Sequence, residues 1–154
     1  MKRSVLGMLT AIVVMALFCL FSYVQAAPQD DAKALAEKAA AYVKANGKEK
    51  AMAEFNNPKG QFSKGDLYIF ANDFNGVCQA NGGNPKLTGQ NHLGLKDATD
   101  KYFMKEMVET AKTKGSGWIN YSWTNPATKK VQAKVAWVQR VEGADCFVGC
   151  GVYK

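Results

Sequence analysis

Three strand-like runs occupy the last quarter of this chain, joined by connections too short for anything but hairpins. Residues 117–123, 131–141 and 146–153 are rich in β-branched and aromatic side chains. Between them stand Asn125-Pro126-Ala127-Thr128 and Glu142-Gly143-Ala144-Asp145, turn residues at hairpin length. Parallel strands would need a crossover of a dozen residues or more, so these three are read as antiparallel neighbours. Earlier, Leu67-Tyr68-Ile69-Phe70-Ala71 reads as a strand and Asn72-Asp73-Phe74-Asn75-Gly76 as a turn. The chain returns at residues 77–80, completing another hairpin.

Two helical stretches frame that hairpin. After Pro28-Gln29-Asp30-Asp31, an alanine-rich segment places Leu35, Ala39 and then Tyr42 or Val43 at helical spacing. Asn46-Gly47 interrupts it, residues 48–55 resume it, and Asn56-Asn57-Pro58-Lys59-Gly60 stops it. The second stretch is predicted over 99–113, with Tyr102 or Phe103, Met107 and Ala111 on its inner face. The order helix, two strands, helix, three strands gives an α+β fold with one antiparallel sheet, not βαβ units.

The first residues are an address rather than part of that fold. Lys2 and Arg3 precede an apolar run from Val5 to Val24, which ends in Val24-Gln25-Ala26-Ala27. This is the pattern of a secretory leader, so residues 1–26 are read as a signal peptide cleaved after Ala26 and residues 27–154 as one domain. The alternative is an uncleaved membrane anchor, since the run is long enough to span a bilayer. The expected location is periplasmic or secreted.

Composition then removes several classes of function. The 154 residues, 47% apolar and 21% charged, suit one globular domain and not a disordered chain. The formal charge of +7 comes from scattered lysines. Arg140 is the one arginine after the leader, whereas phosphate recognition favours arginine forks, so no nucleic-acid partner is expected. One histidine excludes sites needing two imidazoles. With no acid–base dyad, nucleophile motif or phosphate loop, the chain is read as neither an enzyme nor a metal or cofactor carrier. Cys78, Cys146 and Cys150 are expected to be buried small hydrophobes. On a single strand, Cys146 and Cys150 would stand roughly 13 Å apart, too far to bridge.

The run Val43-Lys44-Ala45-Asn46-Gly47-Lys48-Glu49-Lys50-Ala51, leading into Phe55-Asn56-Asn57-Pro58-Lys59-Gly60-Gln61-Phe62, resembles the start of single Cache domains. Gly65-Asp66-Leu67-Tyr68-Ile69-Phe70, Asn84-Pro85-Lys86-Leu87, Leu95-Lys96-Asp97, Gly115-Ser116-Gly117-Trp118 and Gly151-Val152-Tyr153-Lys154 continue it in order, over about residues 32 to 154. The resemblance implies an extracytoplasmic sensor with a PAS-like fold. A long N-terminal helix would pack on a five-stranded antiparallel sheet of order 2-1-5-4-3, with a second helix over the pocket. It implies a small organic acid or amino acid as ligand. It also implies a membrane receptor or kinase as partner, the domain itself being a monomer or weak homodimer. Here the chain reads as free-standing, with no transmitter after Lys154. Two departures bear on the ligand: many relatives carry histidine where Asn81 stands, and tyrosine where Trp137 stands.

A carboxylate site needs a cation or several donors, walled by apolar surface. Trp118, Tyr121, Trp123, Lys134 and Trp137 crowd two adjacent strands, and Phe103 with Met107 would face them from the helix. By the resemblance, Lys134 is the lysine that faces the carboxylate, Tyr121 the pocket tyrosine, and Trp118 and Trp137 the aromatic wall. The competing reading makes the aromatics plain core and Lys134 a solvated lysine, leaving a structural interaction domain with a collapsed pocket. Strand alternation sets Tyr121 and Trp123 on one face and Trp118 on the other. Some of the seven must therefore point away unless bulges re-aim them.

Overall fold

Pro28 opens the first helix, where its missing N–H costs nothing, and Asp30 and Asp31 complement the positive end of the helix dipole. The computed structural model describes residues 28–154, so the leader expected at 1–26 lies outside the described residues. Helix α1 spans Pro28–Asn46 and buries Ala32, Ala36, Ala39, Ala40 and Val43. Alanines along this face let the helix lie close to the sheet, while Leu35 and Tyr42 pack half-buried at its flanks. Gly47 ends α1 at φ 82° and ψ 155°, an extended positive-φ conformation open to glycine, and its N–H returns to the Val43 carbonyl at 2.9 Å. Helix α2, Lys48–Phe55, then drops Phe55 edge-on against Phe62, with ring centroids 4.8 Å apart.

The strands are β1 (Ser63–Lys64), β2 (Leu67–Asn72), β3 (Cys78–Asn81), β4 (Ser116–Thr124), β5 (Val131–Arg140) and β6 (Phe147–Tyr153); helix α3 (Phe103–Thr113) stands between β3 and β4. Every pairing is antiparallel. The five longer strands run β3–β2–β6–β5–β4, the expected 2-1-5-4-3 order, with the two-residue β1 added beside the start of β2. Both faces of the sheet are covered. Ile69, Ala71, Val148 and Cys150 face α1, while Phe70, Phe147, Ile119, Ala136 and Val138 face Met104, Met107, Val108 and Ala111 of α3. Consecutive residues such as Ile69 and Phe70 thus enter different cores, which is why β2 is buried nearly throughout. Gly149 on β6 is required by this packing, since a Cβ there would lie 2.3 Å from the Phe70 ring.

Helix α3 begins at Phe103 rather than at the expected Thr99. The Asp97 carboxylate takes the backbone N–H groups of Thr99 and Lys101 at 2.8 and 3.1 Å, and Asp100 sits at φ 64°. Asp100 in that left-handed conformation breaks any helical path from residue 99, and the Asp97 carboxylate ties the resulting turn together. The 3-10 turn Pro85–Leu87 and strand β1 were not foreseen either. Cys78, Cys146 and Cys150 are free and buried, with Cys146 just ahead of β6.

Candidate functional site

On the α3 face the sheet presents a row of three polar side chains across neighbouring strands. Lys134 of β5 stands directly opposite Tyr121 of β4 and Tyr153 of β6. Directly opposed residues share a face, so all three point toward α3, and Tyr68 of β2 joins them.

Lys134 is only 1% exposed. The surface ion pairs of the described residues leave it out. Instead Nζ donates to the Tyr68 hydroxyl at 2.8 Å and to the Tyr153 hydroxyl at 3.5 Å. It also lies 4.0 and 4.6 Å from those two ring centroids, a cation–π arrangement. Tyr153 donates its own proton to the Thr124 carbonyl at 3.2 Å. Its 2.8 Å contact with Tyr68 is therefore donated by Tyr68, and the chain runs Lys134 to Tyr68 to Tyr153 to Thr124.

Burial lowers the Lys134 ammonium to about 7, against weaker opposing pulls from Cys150 and Asp66. Burial likewise pushes Tyr68 and Tyr121 upward, with neighbouring phenols adding to the effect. The phenols therefore stay protonated donors at neutral pH. His92 is buried, and its pKa is lowered by desolvation, which favours the uncharged imidazole.

Beside this group lies an inner cavity of about 20 Å³, room for roughly one water. Tyr121, Trp123, Phe103 and Met107, all singled out by sequence, line it. Phe103 stacks on Tyr121 at 5.0 Å and meets Trp123 edge-on at 5.4 Å. The structure thus gathers Lys134, Tyr121, Trp123, Phe103 and Met107 on one side of the sheet.

It does not bring Trp118 and Trp137 there. They are directly opposed on β4 and β5 and pack with the α1-side core. Their rings lie 5.3 Å apart, and Lys33 of α1 sits 4.8 Å above Trp137. No bulge interrupts the β4–β5 register, so plain alternation separates residues 118 and 137 from 121 and 134.

Sequence reasoning missed Tyr68, Tyr153, Phe70, Met104 and His92 as neighbours of the site. The signal was present for Tyr68 and Phe70, which share one face of a predicted strand. Asn81, singled out as a departure from the family pattern, lines the cavity. Its Oδ1 accepts from the N–H groups of Gly83 and Asn84 at 3.0 and 2.9 Å, leaving the amide NH2 as its donor. Chemically the cavity offers phenol and amide donors, aromatic walls and no acidic lining residue, and the Lys134 amine stands behind it, hydrogen-bonded to the lining Tyr68.

The single Cache domain 2 family matches residues 30–154. Among solved structures, a methyl-accepting chemotaxis protein from Vibrio parahaemolyticus is similar with a TM-score of 0.69 at 21% identity, over 80% of this chain and 86% of that one. The periplasmic sensor domain of a chemotaxis protein gives 0.65 at 24% identity, over 95% and 97%. A Cache chemosensory domain, solved as a structural basis for carboxylic acid recognition, gives 0.63 at 27% identity, over 80% and 86%.

Proposed function

The chain belongs to the single Cache domain 2 family, and from that premise we propose that it is an extracytoplasmic sensor domain which captures a small carboxylate on Lys134. The observation that carries this reading is the buried Lys134 amine with phenol partners and no ion pair among the described residues. A buried ammonium without an anion is costly. A carboxylate beside it would complete the pair and receive charge-assisted hydrogen bonds. Donors from Tyr121 or Asn81 would hold its second oxygen. The related domain described as recognising carboxylic acids supports the same chemistry.

The lining favours a simple acid over an amino acid. No acidic side chain lines the cavity, so a ligand ammonium would be desolvated without a partner. Phe70, Phe103, Met104, Met107 and Trp123 supply apolar walls suited to a short carbon chain. At about 20 Å³ the cavity is too small for such an acid, and the ligand enters by displacing Tyr68 from Lys134. The bound state is read by a membrane receptor or kinase partner, through α1.

The same small volume favours the competing reading, a structural interaction domain whose pocket is filled. Thermal-shift titration with acetate, propionate, pyruvate and a set of amino acids separates the two. A rise in Tm with a short acid, lost in Lys134→Met, is expected. No rise with any compound would leave the structural reading in place.

A further inference from the structure

The inner cavity cannot admit a solute unless part of its wall moves, and the structure narrows which part. Three of its lining residues, Tyr68, Asn81 and Trp123, also line an outer cleft of about 520 Å³. These three side chains border both spaces and stand between them. On one bank of the cleft is the 3-10 turn Pro85–Leu87, and on the other the β4–β5 turn with Pro126 and Lys129. The partition is backed lightly at Tyr68, whose ring lies over Gly83. A Cβ at that glycine would meet the ring at 2.6 Å, so only a glycine there leaves the ring its place.

The charge of the cleft has one sign. Its charged lining residues are Lys86 and Lys129, with no acid among them. The nearest acid along the wall is Asp66, in an adjoining hollow of about 290 Å³ that shares Tyr68, Gly83 and Pro126. Both lysines stand on fixed backbone. Lys86 N–H is held by the Asn84 side chain at 3.3 Å, and Lys129 N–H by the Asn125 carbonyl at 2.8 Å. Lys129 occupies φ 61°, a conformation glycine or asparagine would take with less strain. A lysine kept at such a position invites a functional reading.

We propose that the anion reaches Lys134 through this cleft, past Tyr68, and that Lys86 and Lys129 are the steering residues that draw it in. This rests on the carboxylate reading above and adds the route and its selectivity for anions. Walls of one charge concentrate counter-ions and raise association rates in a salt-dependent way. Neither lysine touches the bound acid, so their effect belongs to association and not to dissociation.

The test is stopped-flow tryptophan fluorescence on the full chain with propionate as probe, at about 20 mM and about 300 mM NaCl. In Lys86→Glu/Lys129→Glu, association is expected to slow by roughly five- to tenfold at low salt and to approach wild type at high salt. Dissociation is expected to stay within about twofold. Unchanged association at low salt, or a change in dissociation alone, overturns the proposal. A second arm does not depend on the ligand. Iodide quenching of tryptophan should fall in the double variant while acrylamide quenching stays constant, and equal iodide quenching overturns the proposal. Failure of wild type to bind propionate or the other short acids is a failure of the carboxylate reading, and iodide then still decides whether the cleft gathers anions.

Discussion

Lys134 Nζ and the Tyr68 hydroxyl lie 2.8 Å apart in a pocket that shuts the lysine off from solvent. Tyr68 stands where a carboxylate oxygen would serve better. A phenol can accept one hydrogen bond from the amine but brings no charge, so the lysine is anchored and still electrostatically unsatisfied. Ligand binding then exchanges a neutral acceptor for an anionic one, and the phenol released from Lys134 remains tied to Tyr153, itself bonded to the Thr124 carbonyl.

Removing the amine should therefore separate stability from binding. Lys134→Met keeps the side-chain length and deletes a desolvated charge, a change that is often neutral or stabilising in an interior. The ligand-free variant is expected to melt at the wild-type temperature or above it, while the thermal shift produced by propionate disappears. Differential scanning fluorimetry with and without the acid checks both. Collapse of the ligand-free variant would show that the Lys134–Tyr68 bond holds the fold together.

The same burial gives the ligand-free protein an unusual pH profile. Lys134 is depressed from its ordinary 10.5 to about 7, so between those values the unfolded chain binds the extra proton. Stability rises with pH wherever the unfolded state holds more protons. The penalty is present in full below about pH 7 and fades as pH climbs toward 10.5, with a slope of up to about 1.4 kcal/mol per pH unit. His92, also depressed by burial, adds a slope of the same sign, but below its ordinary 6.5. Urea unfolding between about pH 7 and 8 should show the rise in wild type and its absence in Lys134→Met. At higher pH the buried thiols of Cys78, Cys146 and Cys150, raised from 9.0 by burial, pull stability the other way.

Binding reverses the shift. An anion beside Lys134 restores the charged form, so complex formation takes up a proton: about half at pH 7 and close to one at pH 8. Affinity for a carboxylate should fall about tenfold per pH unit above the Lys134 pKa. Calorimetry in phosphate and in Tris, whose ionisation enthalpies differ, reads the proton count directly. Buffer-independent heats at pH 8 would rule out Lys134 as the group that pairs with the ligand.

The fold was legible because its signals are local. Short turns at residues 125–128 and 142–145 force antiparallel neighbours, and Asn46-Gly47 marks the break between α1 and α2 without outside help. The site was legible only by half, since sidedness comes from register. Alternation shows that Trp118 and Tyr121 face opposite ways, but it does not say which face carries the pocket. That depends on α3 and α1 choosing sides, a choice between two apolar surfaces. Tyr68 and Tyr153 lie 66 and 19 residues from Lys134 in sequence, and only the sheet order makes them neighbours. The start of α3 was misread for a different reason: Asp100 takes a left-handed conformation inside a turn tied by the Asp97 side chain, and this breaks the helix before Phe103, which propensity does not register.

The two tryptophans on the α1 face should then matter for stability and not for binding. Trp137 packs edge-on against Trp118 and under Lys33, so Trp137→Phe is expected to destabilise by roughly 1–3 kcal/mol. Propionate affinity, measured at a temperature where the variant is folded, should stay within about twofold. Trp123→Ala should do the reverse for binding, because Trp123 lines the inner cavity. A large affinity loss in Trp137→Phe would put the ligand on the other side of the sheet.

Asp97 is the remaining point of leverage, because it fastens the loop that leads into α3. One carboxylate oxygen takes the Thr99 N–H at 2.8 Å, the Thr99 hydroxyl at 2.7 Å and the Lys101 N–H at 3.1 Å; the other takes the Ser122 N–H at 2.8 Å on the open edge of β4. Desolvation alone would raise its pKa. The hydrogen bonds from Thr99, Ser122 and Lys101 outweigh that and hold the carboxyl at about 2. A depressed acid stabilises the fold above its ordinary value of 3.8, and the contribution is lost as pH falls toward 2. Asp97→Asn turns an NH2 toward one set of donors and should cost on the order of 1 kcal/mol at pH 7. The deficit should shrink in acid as the wild-type carboxyl also protonates. The loop carries His92 into the cavity wall and positions Phe103 at the start of α3. Loosening it should therefore speed propionate dissociation more than it slows association. Paired unfolding curves at pH 7 and about pH 3 with stopped-flow dissociation rates check both effects, and an unchanged dissociation rate would make the Asp97 clasp purely structural.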